Sequence, residues 1–211
     1  MKKIMNAPDP IQNLIGQETR RKPFAQLKAS ITALGLFTII CGVLYPLLIT
    51  GIAQLVFPYQ ANGSLLRDST GVIRGSRLLA QDFPEDLWFQ ARPSIVNYTA
   101  GASGASNLAI TSLAQDKAIS TRQTDWQNRF AGIPVPLDML YASGSGLDPE
   151  ISQASAFAQF EHVANSRNLS VNERANLKAL IMKLSYQVLP GEVPRINVVD
   201  LNFALLNGVQ Q

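Results

Sequence analysis

The sequence predicts an α+β protein: one N-terminal transmembrane helix followed by a single extracytoplasmic domain with a small β-sheet and several helices. Three observations predict it. No charged residue occurs between Lys28 and Arg67, and residues 31–57 (ITALGLFTIICGVLYPLLITGIAQLVF) are almost wholly apolar. The stretch that follows alternates short apolar runs with turn residues, and the rest carries helical segments opened by capping signals. Strands first and helices later argue against repeating βαβ units.

A bilayer core of ~30 Å takes about 20 helical residues, so residues 31–57 can span it with tilt to spare. Residues 1–29 carry six basic and two acidic side chains, whereas those after Phe57 carry 12 basic and 13 acidic. The net charge of +3 is therefore a property of the N-terminal tail. It speaks of membrane orientation, not of nucleic acid. Flanking Lys and Arg stay on the cytoplasmic side. This divides the chain into a basic cytoplasmic tail (1–30), a transmembrane helix (31–57) and an extracytoplasmic α+β domain (58–211). The apolar run far exceeds the ~7–15 residues of a signal-peptide core, which predicts an uncleaved anchor. The only cysteine, Cys41, lies inside the span. The outer domain uses no disulfide, and it is large enough to bury a core without one.

Within the span, Gly35, Thr38, Gly42, Pro46, Thr50 and Ala53 recur every three or four residues. Small residues on one side let membrane helices approach closely, so Gly35, Thr38, Gly42, Thr50 and Ala53 form a candidate face for packing on a partner helix.

Beyond the span, SLLRDSTGVIRGSRLLAQDF reads as a hairpin and meander of short strands broken at residues 68–71 and 75–76, and LWFQARPSIV as an extended segment. Residues 97–107 (NYTAGASGASN) form a small-residue loop. Thr111 or Ser112 can cap a helix to about Phe130, and Ser112 with Gln115 has capping-box spacing. Asp148–Pro149 suits an N-cap and first helical residue for a helix to about Arg167. Ser170 and Glu173 form a capping box for a helix over 171–187, and RINVVDLNFALL reads as a strand entering a last short helix.

Chemistry is scarce. One histidine, His162, and one membrane cysteine cannot build a zinc site. Asp82, Glu85 and Asp86 surround a turn and read as a solvated face. No G-x-x-x-x-G-K-[ST] occurs. In YASGSGLDPEIS (141–152), Gly144 and Gly146 begin like a dinucleotide fingerprint, but Pro149 stands where its third glycine belongs. Ser143 takes the first glycine position of a hydrolase elbow, and no base marks Ser145. The competing reading is an independent membrane-anchored serine hydrolase using Ser103, Ser106, Ser143 or Ser145 with Lys117 or Lys178, yet an activated nucleophile needs a base within reach. The residues themselves favour a turn capped by Asp148 over an anion cradle.

In order, ARPSIVNY, SGASNLA, ASGSGLDPEIS, QFEHVANSR and PRINVVDLNFAL, behind one membrane helix, resemble the C subunit of the bacterial potassium-transporting P-type ATPase, the Kdp complex. The resemblance runs from the span to about Leu206. It implies a non-catalytic inner-membrane subunit of a high-affinity potassium-uptake complex, partnered by a P-type ATP-hydrolysing subunit and a channel-like potassium-translocating subunit. It implies a catalytic chaperone that raises the pump subunit's affinity for ATP, with no cofactor of its own. It also compares the Gly/Ser loop and a downstream glutamine with a nucleotide-binding signature, here Ser143, Gly144, Ser145, Gly146 and Gln159. The sequence departs from the family pattern at Glu161, His162 and Asn165, where a proline and two basic residues are common, and at Ala105, where a glycine is usual. Charge bias places this loop outside, whereas ATP is inside, so an effect on ATP affinity must be a coupling between distant sites.

Overall fold

The computed structural model describes residues 23–83 and 86–207. The chain divides into two compact units, Met1–Ala61 and Asn62–Gln211.

The first unit is a long apolar helix. It comprises α1 (Pro23–Ile39), one π turn (Ile40–Leu44) and α2 (Tyr45–Val56), followed by a single turn, α3 (Pro58–Ala61). Gln26–Val56 is long and apolar enough to cross a membrane. Its side chains are almost all exposed, so the apolar surface calls for lipid or protein around it. Two hydroxyls are satisfied within the helix, Ser30 Oγ donating to Gln26 O at 2.9 Å and Thr32 Oγ1 to Lys28 O at 2.9 Å.

The second unit begins with the expected hairpin, β1 (Leu65–Arg67) antiparallel to β2 (Ile73–Ser76), with an irregularity between Leu66 and Arg67. The second break expected at residues 75–76 does not form: Gly75 and Ser76 pair with Leu66 and Leu65 inside β2, and the sheet stops at two strands. Asp68 builds its turn by accepting from Thr70 N (2.9 Å), Thr70 Oγ1 (2.6 Å), Val72 N (3.0 Å) and Arg74 Nε (2.7 Å). These bonds, that from the Thr70 hydroxyl foremost, hold its carboxyl far below the usual carboxylate range.

Five helices and a second two-stranded sheet follow the hairpin and a long irregular stretch. Ser112 caps α4 (Leu113–Arg129), its hydroxyl accepting from Gln115 N. A short α5 (Leu137–Leu140) leads to β3 (Glu150–Ser152), α6 (Gln153–Ser166), α7 (Val171–Leu184), β4 (Arg195–Asn197) and α8 (Val198–Leu206). β3 pairs antiparallel with β4 in the register Glu150↔Asn197, Ile151↔Ile196 and Ser152↔Arg195. The strand before the last helix stands as expected, with Asn197 capping α8 through Val199 N and Asp200 N.

Boundaries differ in two of these helices. Asp148 does not cap a helix beginning at Pro149; β3 intervenes and Ser152 caps α6, accepting from Ser155 N. The cause is tertiary pairing: Val198 N donates to Pro149 O (2.8 Å) and Gln153 N to Pro194 O (2.8 Å), which draws residues 149–153 alongside β4 before the helix can start. α7 also stops short of the expected Gln187, because Tyr186 leaves helical geometry to exchange both backbone bonds with Arg195 at 2.9 Å each.

The Ser170–Glu173 capping box is complete. Hydrogen bonds from the Ser170 hydroxyl and then its amide hold the Glu173 carboxyl below its ordinary value of 4.5. A depressed carboxylate value stabilises the fold above the unfolded value and loses that contribution as pH falls through the folded one. Glu173→Gln is therefore expected to lower Tm at neutral pH. The gap to the unsubstituted chain closes on acidification through the carboxylate range, as thermal unfolding by circular dichroism at stepped pH would show.

The core gathers Phe89, Trp126, Phe130, Met139, Ile151, Phe160, Val163, Leu177, Ile181, Ile196, Leu201 and Leu205, with α6 packed between β4 and α7. Trp126 and Phe130 stack at 4.2 Å between ring centroids, and the His162 ring meets Phe130 edge-on at 4.8 Å.

Candidate functional site

The Gly/Ser loop, residues 141–148, is tied to the rest of the chain mainly through its carbonyls. Ser143 N donates to Pro93 O (3.0 Å), Gly146 N to Ser143 O (3.3 Å), and Gly104 N to Ser145 O (2.9 Å). Ser94 Oγ donates to Gly146 O at 2.6 Å, Ser103 Oγ to Ser145 O at 3.2 Å, and Leu147 N to Ser145 Oγ at 3.1 Å. Leu147 O in turn accepts from Ala80 N (2.8 Å). Ser143 and Gly146 are buried, Ser145 is half-buried, and Gly144 alone of the four is exposed. The loop is thus stitched to residues 93–104, the other Gly/Ser-rich segment of the chain.

Gly146 makes that contact possible. It sits at φ +70°, and a Cβ there would fall 2.6 Å from Val96 Cγ2 and 3.0 Å from Gly104 O. A left-handed residue pressed against another backbone is a place where only glycine fits. Gly144 differs: a Cβ on it meets nothing within 4 Å, and its φ is ordinary.

Gln159 lies away from the loop in its bonding. Its side chain is fully buried on α6. Oε1 accepts from Gln90 N (2.7 Å) and Nε2 donates to Gln90 O (3.1 Å). Asn202, on α8, does the same one residue earlier: Oδ1 accepts from Phe89 N (2.9 Å) and Nδ2 donates to Phe89 O (2.8 Å). The segment expected to be extended has no partner strand among the described residues. Two carboxamides supply the missing ladder, each satisfying both backbone groups of one residue. The sequence carried no signal for this, because an inward amide on a helix is legible only when its partner is known. Arg167 holds the same segment further along, donating to Leu87 O (3.2 Å) and Leu205 O (3.0 Å) while stacking over the Trp88 ring.

Beside the loop lies an open groove of about 860 Å³, lined by Arg92, Asp138, Tyr141, Asp148, Glu150 and Arg195 among others. Its charges are already engaged. Arg92 pairs with Asp148 at 3.1 Å, and Arg195 reaches Glu150 (3.4 Å) and Glu192 (3.2 Å). Asp148 Oδ1 accepts from Glu150 N (3.0 Å) and Asp138 Oδ2 from Ser152 N (2.7 Å), so the outer edge of β3 is covered by side-chain acceptors instead of another strand. Tyr98 donates to Arg92 O (3.0 Å), and burial pushes its phenol up to about 12.

Among the described residues no group of three His, Cys, Asp or Glu side chains is placed to hold a metal ion. His162 Nε2 lies 3.1 Å from Asp86 Oδ1 and Arg129 Nε 2.7 Å from the same oxygen. The imidazole first, then the guanidinium, holds Asp86 below the usual carboxylate range. Lys178, weighed as a hydrolase base, lies 3.9 Å from Glu161 and 4.7 Å from the Phe160 ring centre.

In the long helix, a π turn takes up one residue more than an α turn, which rotates α2 by roughly 100° relative to a continuous α-helix. A Cβ added at Gly42 would meet only Thr38 Cγ2, at 3.9 Å, and one at Gly35 would meet nothing, so the notch is open.

Comparison with known proteins gives one consistent answer. The family model described as KdpC, the c chain of K+-transporting ATPase, matches residues 27–207. The potassium-transporting ATPase KdpC subunit of Pseudomonas syringae pv. tomato is 43% identical over 182 residues, covering 85% of this chain and 92% of that protein. That of Pseudomonas aeruginosa is 43% identical over 183 residues (86% and 97%), and that of Synechocystis sp. 42% over 188 residues (84% and 96%). The match spans the long helix, the Gly/Ser loop and both clamping helices alike, and the chain belongs to the KdpC family of K+-transporting ATPase c chains.

Proposed function

We propose that this chain is the non-catalytic accessory subunit of an ATP-driven potassium-uptake complex of the bacterial inner membrane. It joins a P-type ATP-hydrolysing subunit and a channel-like potassium-translocating subunit. The family match over residues 27–207 carries the reading. Gln26–Val56 crosses the membrane once, with the basic tail inside and residues 58–211 outside. In this reading the subunit stabilises the assembly and raises the ATP affinity of its partner from a distance, binding no nucleotide itself. Supporting that division of labour, Gln159 spends its whole carboxamide on Gln90, and the carbonyls of Ser143, Ser145, Gly146 and Leu147 are taken up within the chain.

Topology is the test. With Cys41 replaced by Ala and a cysteine placed at the exposed Asn172, spheroplasts treated with a membrane-impermeant maleimide are expected to be labelled without lysis. Labelling only after lysis would put the domain beside ATP and remove the long-range reading. ATP titration of the ATPase is expected to show a raised KM for ATP without this chain. An unchanged KM would end the chaperone role and leave an assembly subunit.

A further inference from the structure

We propose that the π turn in the apolar span is a docking point for an uncharged hydrogen-bond donor on a membrane helix of a partner chain. The inference rests on the reading above, that this helix crosses the membrane within an assembly. Tyr45 N donates to Ile40 O, five residues back. In an α-helix that N–H would have served Cys41 O. The next N–H that could reach Cys41 O, with the five-residue reach of the π turn, belongs to residue 46, which is proline and has none. Cys41 O is left without an intrahelical donor.

Depth makes this matter. Cys41 is the middle residue of the 31-residue span Gln26–Val56 and lies ten residues inside the uncharged run 31–57. A backbone carbonyl at the bilayer centre has no water to turn to, so a donor must come from protein. The surroundings admit one. Gly42 adjoins Cys41, and the open notch at Gly35 and Gly42 lets a neighbouring backbone come close. The donor is a Ser, Thr, Asn or Gln side chain, because a charged group at that depth costs far more. A different chain fits better than a second copy. In a two-fold parallel pair the same residues face each other, and acceptor would meet acceptor.

The single cysteine makes the test direct. Incorporating cysteine labelled with ¹³C at its carbonyl marks one backbone group in the full chain, read by infrared spectroscopy in lipid vesicles. In the chain alone, at high dilution, this carbonyl is expected at a high, unbonded frequency. On assembly with the unlabelled partner subunits it should move to lower frequency. Pro46→Ala restores an N–H, so its carbonyl should be bonded in both states, and its affinity for the partners should fall about three- to tenfold. A bonded carbonyl in the dilute chain, or an unbonded one in the complex, would overturn the inference, as would undiminished affinity of Pro46→Ala. Bonding that appears when the chain alone is concentrated would assign the site to a second copy instead and equally overturn it. Failure of the labelled wild-type chain to assemble at all would instead sink the subunit reading, and the docking point with it.

Discussion

Replacing Asn202 with Leu is expected to lower the unfolding free energy by about 3 kcal/mol or more, and Gln159→Leu by about 2 kcal/mol. Asn202→Leu keeps the side-chain size and Gln159→Leu loses one heavy atom, and both strip a backbone pair of its partners. Asn202 satisfies Phe89, which is fully buried, so its N–H and C=O have no recourse to water. Gln159 satisfies Gln90, which is half-buried and can recover part of its loss. Each unsatisfied buried group costs roughly 1–3 kcal/mol. Denaturant unfolding of the two single variants and the double would measure this. The double should lose less than the sum, because releasing either residue loosens the segment that the other holds. Equal, sub-kilocalorie effects would mean that residues 89 and 90 find other partners and that the clamp is incidental.

The same pair separates architecture from ligand binding at Gln159. Gln159→Glu keeps an acceptor for Gln90 N but loses the donor and sets a carboxylate near Gln90 O. On the architectural reading it destabilises the domain like Leu and leaves ATP-dependent turnover unchanged wherever the complex still assembles. A change in KM for ATP in a fully assembled complex would return Gln159 to the nucleotide reading.

How much of this was legible in the sequence depends on the range of the interaction. The hairpin, the Ser112 cap (one of the two expected), the Ser170–Glu173 box and the last strand–helix pair are set by neighbours within a few residues, and the chain shows them where expected, while the long helix expected over 31–57 begins earlier, at Pro23. The start of α6 was misplaced because Asp148–Pro149 satisfies local capping rules, while Val198 and Pro194, far along the chain, decide the outcome. The extended run around Phe89 was legible as non-helical, but its partners were not, since amides of α6 and α8 stand in for a strand. The loop's two glycines are identical letters with different duties, and only the backbone angle and the approach of residues 94–104 tell them apart.

That difference supplies the second large effect. Gly146→Ala is expected to cost about 2–4 kcal/mol, and Gly144→Ala no more than about 0.5 kcal/mol. At Gly146 two penalties add. A left-handed φ of +70° strains any L side chain by roughly 1 kcal/mol or more. The new methyl would also lie 2.6 Å from Val96 Cγ2, 3.0 Å from Gly104 O and 3.3 Å from Ser94 Oγ. Val96 can turn aside, but the Gly104 carbonyl cannot, since Gly104 N is bonded to Ser145 O across the same gap. Val96→Ala combined with Gly146→Ala should therefore restore only part of the loss, leaving the backbone conflict and the strain. A cradle that wraps an anion would ask for glycine at 144 as much as at 146. The pair of single-alanine variants, compared by chemical unfolding and by ATP titration of the assembled pump, reads both possibilities at once. Loss confined to stability and to Gly146 marks a loop built to lock residues 94–104 in place. Weakened ATP response in a stable Gly144→Ala complex would mark a loop that holds phosphate.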